Sequence, residues 1–505
     1  MQRRLPKWLI IALAALLLVV IGEVVFLAAK WPFTRERVAE GLGGQTKCRV
    51  RFGEFDLTFF PHPGFVARNI VFERDGAPPL AVANAMKVDG TWLALFTLQR
   101  RVKSMAFDAL RISIPERIPP GVEAVGEQKS DTVIGELLLH GATFSLARRG
   151  NSPLRWELRR ARFTDVARDS AIGFDVQVLH PEPPGLVVTR GSFGPVKQSD
   201  FPSSPLKGVF EFQKADLGKY ENLAGVLASK GEFSGRVGEI HVRGDIDIPR
   251  FEVNNSGKPV HLTTYFQATV DGMNGDVALS EIQSRFGGTH LAASGTIEGG
   301  ARKTVALKIR SVRARVQDVV GLFTKGGRSA MRGPISFGAS VLLPPGEQRF
   351  LQRVRLEGRF GIDDAEFTKS NTRRKLNELS ARARTEASET ETEALVAAES
   401  DVLSDLGGSV TLRDGTAHLN NVSFRVPGAA AKGGGTYNLI SKRINLTGTV
   451  AMQATVSEAS RGLKSILLKP FDTLFRKKER RAGAVLPVSI TGTYPHPKFS
   501  VALTR

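Results

Sequence analysis

The chain has 505 residues, a formal net charge of +20 and one cysteine, Cys48. One cysteine excludes an internal disulfide framework and a cysteine-based metal site. The basic residues are spread along the whole chain, without a zinc finger, a helix-turn-helix or an aromatic RNA-binding signature. The charge therefore favours an anionic membrane surface as partner, and not nucleic acid.

The first predicted element is a membrane-spanning helix at residues 8–29, an apolar run broken only by the charge of Glu23. A bilayer core needs about 20 apolar residues in a helix. Because no small-x-small cleavage site ends the run, we expect an uncleaved anchor, with a cleaved signal peptide as the alternative. Arg3, Arg4 and Lys7 precede the run, which favours a cytoplasmic N-terminus and a body outside the cytoplasm.

A short helix is predicted at residues 34–46, capped by Thr34 and ended by Gly41, Gly43 and Gly44. Beyond it, apolar residues alternate with polar or small ones, which is the period of strands in a sheet with one dry face and one wet face. The clearest alternating segments are residues 49–53, 55–59, 65–72, 173–178, 208–213 and 239–248.

One segment of the chain resembles another. Residues 275–297 align without a gap with residues 415–437, and the alignment pairs Leu279 with Leu419 and Ile282 with Val422. We interpret the match as one hairpin unit used at least twice, although Gly-rich strands can also match by chance.

Two segments interrupt the strand pattern. Residues 376–404 are rich in Glu, Ala and Ser and predict a helix or a mobile insertion with a solvated surface. Residues 460–481 predict a basic amphipathic helix that either packs on a sheet or docks on a membrane or a partner. The candidate docking residues are Leu463, Ile466, Leu467, Phe471, Leu474, Phe475, Lys477, Lys478, Arg480 and Arg481.

No motif for catalysis is present in the sequence. The histidines form no HExxH pair, and there is no GxSxG elbow, Walker loop or Rossmann fingerprint. We therefore expect a protein that is not an enzyme and has no catalytic residues, metal site or cofactor. An envelope hydrolase with catalytic groups dispersed along the sequence is the alternative.

The predicted sheet needs a cover for its apolar face. Curled into a trough, the sheet would offer that face to acyl chains; as a closed sandwich or stack of β domains, it would fill its own core. Alternation places apolar residues on one face but does not distinguish these two outcomes. The candidate groove-lining residues are Phe210, Phe212, Ile246, Ile248, Leu291, Val422 and Phe424.

The order of several segments resembles the AsmA family of envelope proteins over nearly the full chain. The segments are FFPHPGFVARNIVF at 59–72, GSVTLRDGTAHLNNVSF at 408–424, GTYNLISKRINLTGTV at 435–450 and LPVSITGTYPHPKFSV at 486–501. The resemblance implies a single-pass inner-membrane anchor, a periplasmic body and a lipid-lined β-groove. It also implies a link to outer-membrane biogenesis and a relation to bridge-like lipid transporters.

From these observations we expect a mainly β protein, with one N-terminal transmembrane helix, a long curved antiparallel sheet built from repeated hairpins and a few short helices. The expected function is non-enzymatic binding of phospholipid acyl chains in support of lipid transport or outer-membrane biogenesis, with envelope proteins as further partners. A scaffold that assists outer-membrane protein assembly is the alternative. The expected regions are 1–30 (tip and anchor), 31–135 (helix and sheet), 136–375 (central β body), 376–404 (insertion), 405–455 (C-terminal repeat), 456–482 (basic helix) and 483–505 (closing strands).

Overall fold

The structure is a computed structural model. It describes residues 31–46, 48–74, 77–97, 101–114, 133–148, 151–167, 169–220, 223–253, 259–299, 303–322, 329, 331–346, 348–368, 373, 377, 404–427, 429–452, 485–493 and 496–501. The described chain is mainly β with a few short helices, as expected. It divides into two compact units, unit 1 (Met1–Ala215 with Glu232–Val237) and unit 2 (Asp216–Gly231 with Gly238–Arg505).

Unit 1 contains two α-helices and eleven strands in its described part. The helices are α1 (Arg35–Thr46) and α2 (Trp92–Phe96). The strands are β1 (Arg49–Arg51), β2 (Glu54–Thr58), β3 (Gly64–Arg74), β4 (Ala77–Gly90), β5 (Arg101–Asp108), β6 (Arg111–Ile114), β7 (Val133–Arg148), β8 (Asn151–Val166), β9 (Ile172–Pro181), β10 (Pro184–Phe193) and β11 (Pro205–Asp216, whose last residue falls in unit 2).

Unit 2 begins with a 3-10 turn (Leu217–Lys219) and a short strand, and the strand that follows is divided between the units. Its described helices are α3 (Val316–Gly321) and α4 (Phe350–Arg353). The strands are β12 (Leu223–Ala224), the divided β13 (Val226–Arg236), β14 (Glu239–Val253), β15 (Val260–Val270), β16 (Val277–Phe286), β17 (Thr289–Ile297), β18 (Val305–Arg315), β19 (Met331–Arg332), β20 (Pro334–Leu343), β21 (Arg355–Phe367), β22 (Ser404–Arg413), β23 (Thr416–Val426), β24 (Ala429–Asn438), β25 (Arg443–Met452), β26 (Val485–Thr493) and β27 (His496–Val501).

The sheet of unit 1 is mixed. β1 and β2 both pair with β3, β3 with β4, and β4 with β5 and β6, all antiparallel. β5 and β6 then pair with β7 in parallel, and β7 to β11 continue antiparallel. The prediction of an antiparallel sheet is therefore wrong at β7. A parallel pair needs a long crossover connection, and residues 115–132 provide the chain length for one.

The core of unit 1 lies under α1 and against β3 and β4. Ala67, Ile70 and Met86 are fully buried there, and Val38 and Leu42 of α1 pack against the same cluster. The predicted helix at 34–46 is confirmed, but its glycines do not end it. A Cβ atom on Gly43 would lie 2.9 Å from the carbonyl oxygen of Cys48, so this glycine permits a close approach of the chain to the helix.

The sheet of unit 2 is an antiparallel meander. β14 to β18 pair in sequence, β18 pairs with β20, and β20 to β27 again pair in sequence, which links thirteen strands. At about 4.8 Å between neighbouring strands, these strands cover roughly 60 Å measured along the sheet.

The hairpin repeat is confirmed. Residues 275–297 form the β16–β17 hairpin, and residues 415–437 form the β23–β24 hairpin. The register shifts between Leu279 and Ile282 in the first hairpin and between Leu419 and Val422 in the second, which are the aligned positions. The two segments therefore share a β-bulge as well as a strand pattern, and a bulge at one place is a built feature of a hairpin.

Three predicted segments fall outside the described residues: the anchor at 8–29, the basic helix at 460–481, and the insertion at 376–404 apart from Asn377 and Ser404. Within the part of the chain that the structure describes, no helix has the length and apolar character that crossing a bilayer requires.

Candidate functional site: an exposed apolar face

The meander of unit 2 has two chemically different faces. Register partners on antiparallel neighbours point to the same side of a sheet. One row of partners crosses all thirteen strands and is apolar except for the ring hydroxyl of one tyrosine. Its members are Val242, Ala268, Leu279, Gly295, Leu307, Val341, Leu356, Leu412, Ala417, Tyr437, Ile444, Gly492 and Pro497. We call the side that carries this row the apolar face.

The opposite side is polar. From β18 onward, a second row of register partners lies beside the apolar row, displaced by one residue on each strand. Every member of this second row has a polar or charged side chain. Its members are Lys308, Ser340, Glu357, Thr411, His418, Thr436, Asn445, Thr491 and Lys498. We call this side the polar face.

Most side chains on the apolar face are half-buried, and other elements cover only part of this face. Phe266, Ile282, Ile309, Val341 and Leu446 are all intermediate in exposure. In a filled core such side chains would lose nearly all contact with water. No described element covers the middle of this face, so its apolar atoms remain accessible.

The buried part of the face lies at one end of the strands. Ile248, Phe286, Val316, Ile362 and Val426 are each less than a tenth exposed. They lie at or near the C-terminal ends of strands that run in the same direction. α3 contributes to this closure, because Val316 and Val320 pack in one cluster with Ile362. The apolar face is therefore closed along one edge and accessible towards its centre.

A cluster of hydrogen bonds around Thr289 holds α3 at this edge. The Asp318 carboxylate accepts hydrogen bonds from the Gly288 backbone N–H, at 2.9 Å, and from the Thr289 hydroxyl, at 3.1 Å. Thr289 is fully buried, and its hydroxyl oxygen also accepts the backbone N–H of Arg315 at 3.1 Å. A buried polar group satisfied in this way stabilises its surroundings, whereas an unpaired one costs free energy.

An apolar depression of about 170 Å³ lies on the face between β23 and β26. Its floor is a row of register partners, Val422, Gly433, Gly448 and Val488. A Cβ atom on Gly433 or Gly448 would lie within 2.5 Å of a backbone oxygen, so the close approach of the strands requires both glycines. The apolar residues around this floor are Leu419, Phe424, Ala431, Leu446 and Ile490.

The candidate groove-lining residues divide between the two units. Ile246, Ile248, Leu291, Val422 and Phe424 lie on the apolar face of unit 2, where Ile248 is buried and the other four are half-buried. Their contact with lipid stays a prediction.

Phe210 and Phe212 lie in unit 1, on β11. They are half-buried and pair with Thr189 and Val187 of β10. The docking residues between Leu463 and Arg481 lie outside the described residues.

Sequence reasoning missed the glycine floor of the depression and the residues Leu446, Val488 and Ile490. The signal was present, because Gly448 interrupts the alternation of residues 444–450 and Gly433 begins a run of three glycines. A glycine inside a strand often marks a place where a ligand or another backbone approaches closely. The pairing of β24 with β25 was needed to bring the two glycines side by side.

The titratable groups form no recognisable catalytic centre in the described residues. Within those residues, no three His, Cys, Asp or Glu side chains are placed to hold a metal ion. In unit 1, hydrogen bonds from Arg68 to Glu54 and Asp56 raise the pKa of its guanidinium, which stays charged at every physiological pH. This arrangement is an exposed ion-pair network and not an acid–base pair.

No family model, curated protein or solved structure matches this chain.

Proposed function

We propose that this protein is a non-enzymatic lipid-handling protein of the cell envelope, whose apolar face binds the acyl chains of phospholipids. The observation that carries the proposal is the apolar row through thirteen antiparallel strands, whose central part no described element covers. Water penalises exposed apolar surface at about 25 cal/mol per Å², so an occupant that covers the face is favoured.

Acyl chains fit this surface better than a folded partner. A protein interface normally combines apolar contacts with about one hydrogen bond per 100–200 Å², and the row offers few groups that could make one. A hydrocarbon chain needs none. The predicted anchor at residues 8–29 would hold the face close to a bilayer, and the net charge of +20 favours anionic lipid.

The proposal includes the expected placement of the chain: one transmembrane helix, a cytoplasmic N-terminus and a periplasmic body with a curved β-groove. It rests on the apolar segment at 8–29 and on the resemblance to the AsmA family. Support of phospholipid transport or outer-membrane biogenesis is the physiological role that fits such a surface. No ATP-binding motif is present in the sequence, so directed transport would take its energy from another protein.

Site-specific photocrosslinking in cells tests the proposal on the full chain. A photoreactive amino acid is placed at Leu446 or Ile490 on the apolar face and, in matched controls, at Asn445 or Thr491 on the polar face. Cellular lipids are labelled with radioactive acetate before irradiation. We expect lipid adducts at the apolar positions and none at the adjacent polar positions.

Two results would contradict the proposal. Adducts to protein at the apolar positions would favour the scaffold that assists outer-membrane protein assembly. Equal lipid labelling at both members of each pair would indicate nonspecific contact with a bilayer.

A further inference from the structure

The polar face of unit 2 carries an unbalanced group of cations. Lys308 and Arg310 lie on β18, and Arg355 and Arg359 lie on β21; all four side chains are exposed. None of them forms an ion pair with a described residue. We call these four residues the basic surface.

The strand between these cations carries small side chains. β20 separates β18 from β21, and the register places Gly338 between Arg310 and Arg359, and Ser340 between Lys308 and Glu357. Cations two strands apart are separated by about 10 Å, with little side-chain volume between them. Long flexible side chains on both sides can therefore converge on one anionic group above β20.

A depression of about 590 Å³ occupies this place. Its polar lining residues are Lys308, Ser340, Glu357, Arg359, Ser409 and Thr411. Lysine and arginine with serine and threonine hydroxyls are the donors that bind phosphate oxygens. The nearby carboxylate, Glu357, is already paired with Arg413 at 3.0 Å, so its charge is offset.

The polar face between β14 and β17 differs from the basic surface. It carries Asp245, Asp247 and Glu281 beside Arg243 and Arg285, so opposite charges are mixed there. Asp247 is also hydrogen-bonded to a histidine at 2.5 Å. The excess of positive charge is therefore local to residues 308–310 of β18 and 355–359 of β21, and it does not follow from net charge alone.

We propose that the basic surface binds the phosphate headgroups of an anionic phospholipid bilayer, independently of acyl-chain binding on the opposite face. Each lysine or arginine near an anionic bilayer adds an attraction that salt screens. Because the cations are spread over strands of one face, they can contact several headgroups together. The predicted anchor keeps the chain at a membrane, where such a surface has a ligand at high local concentration.

The test uses the full chain, held in nanodiscs of neutral lipid and immobilised on beads. Fluorescent acceptor vesicles contain phosphatidylcholine alone or with a third of phosphatidylglycerol. The variant Lys308→Gln/Arg310→Gln/Arg355→Gln/Arg359→Gln removes the basic surface. The matched control, Arg51→Gln/Arg68→Gln/Arg155→Gln/Arg190→Gln, removes four exposed arginines that are each ion-paired.

We expect capture of the anionic vesicles only, and a loss of at least about tenfold in the basic-surface variant. The control variant, with the same net charge, should retain capture. Three results would overturn the proposal: capture unchanged in the basic-surface variant, an equal loss in both variants, or displacement by millimolar inorganic phosphate beyond a chloride control of equal ionic strength. The last would assign the surface to a free phosphate compound. Lipid adducts at Leu446 should be unaffected, so this test and that of acyl-chain binding can fail separately.

Discussion

Replacing Leu446 with aspartate should weaken the binding of acyl chains in the apolar depression. Its volume of about 170 Å³ has room for roughly six methylene-sized groups, if each takes about the 30 Å³ of one water molecule. At about 0.8 kcal/mol per buried methylene, full burial would contribute about 5 kcal/mol. The lining is only half-buried, so we take half of this value, about 2.5 kcal/mol, which corresponds to roughly sixtyfold in affinity.

The variant Leu446→Asp should lose at least this factor, because an unpaired carboxylate against apolar groups also carries a desolvation cost. The assay titrates the full chain with a short-chain phospholipid below its micellar concentration. A photoreactive residue at Val422, in the same depression, reports the half-saturating concentration. The matched control is Asn445→Asp, the adjacent residue on the polar face.

Aspartate is unfavourable in strands, and both variants carry this cost in the same strand. Thermal unfolding of each variant therefore accompanies the titration. If the two folded variants had the same half-saturating concentration, the apolar face would not be the acyl-binding surface.

Three further predictions concern stability, each measured by thermal or denaturant unfolding. Met86→Ala should destabilise unit 1 by about 2–5 kcal/mol, because the side chain is fully buried. A loss below about 1 kcal/mol would show that the core around Met86 is loosely packed. Asp318→Ala should cost about 1–3 kcal/mol and increase amide exchange at Gly288, whose backbone N–H loses its acceptor. Gly435→Ala should destabilise the chain, because the new Cβ atom would lie 2.1 Å from a backbone oxygen. Gly41→Ala should stabilise the chain by about 0.5–1 kcal/mol, because Gly41 lies in α1 with free space around it. Equal effects of the two substitutions on stability would contradict this reasoning.

The parts of the fold that depend on local sequence were predictable. Alternation over residues 208–213 and 239–248 predicted strands that lie within β11 and β14. The aligned segments at 275–297 and 415–437 predicted the repeated hairpin. Each of these signals involves residues that are neighbours in the chain or joined by one turn, so the period of two is sufficient to detect them.

Pairing between distant segments was not predictable. The parallel contact of β5 with β7 follows from a crossover that alternation does not encode. Similarly, glycines near residue 43 gave the usual signal for a helix end. The helix continues because Val38 and Leu42 pack on the core, and tertiary packing outweighs a local preference of about 1 kcal/mol per glycine.

The distinction between a filled core and an exposed face was also beyond the sequence, and the two units explain why. In unit 1 the alternating strands β3 and β4 place Ile70 and Met86 inward, where both are fully buried in a core against which α1 packs. In unit 2 strands with the same alternation place Ile309 and Leu446 on one face, and no described element covers them. Alternation fixes which residues share a face, whereas the cover comes from a segment elsewhere in the chain or from another molecule. The proposal of a lipid occupant therefore depends on coverage, and the crosslinking at Leu446 and Asn445 tests that property directly.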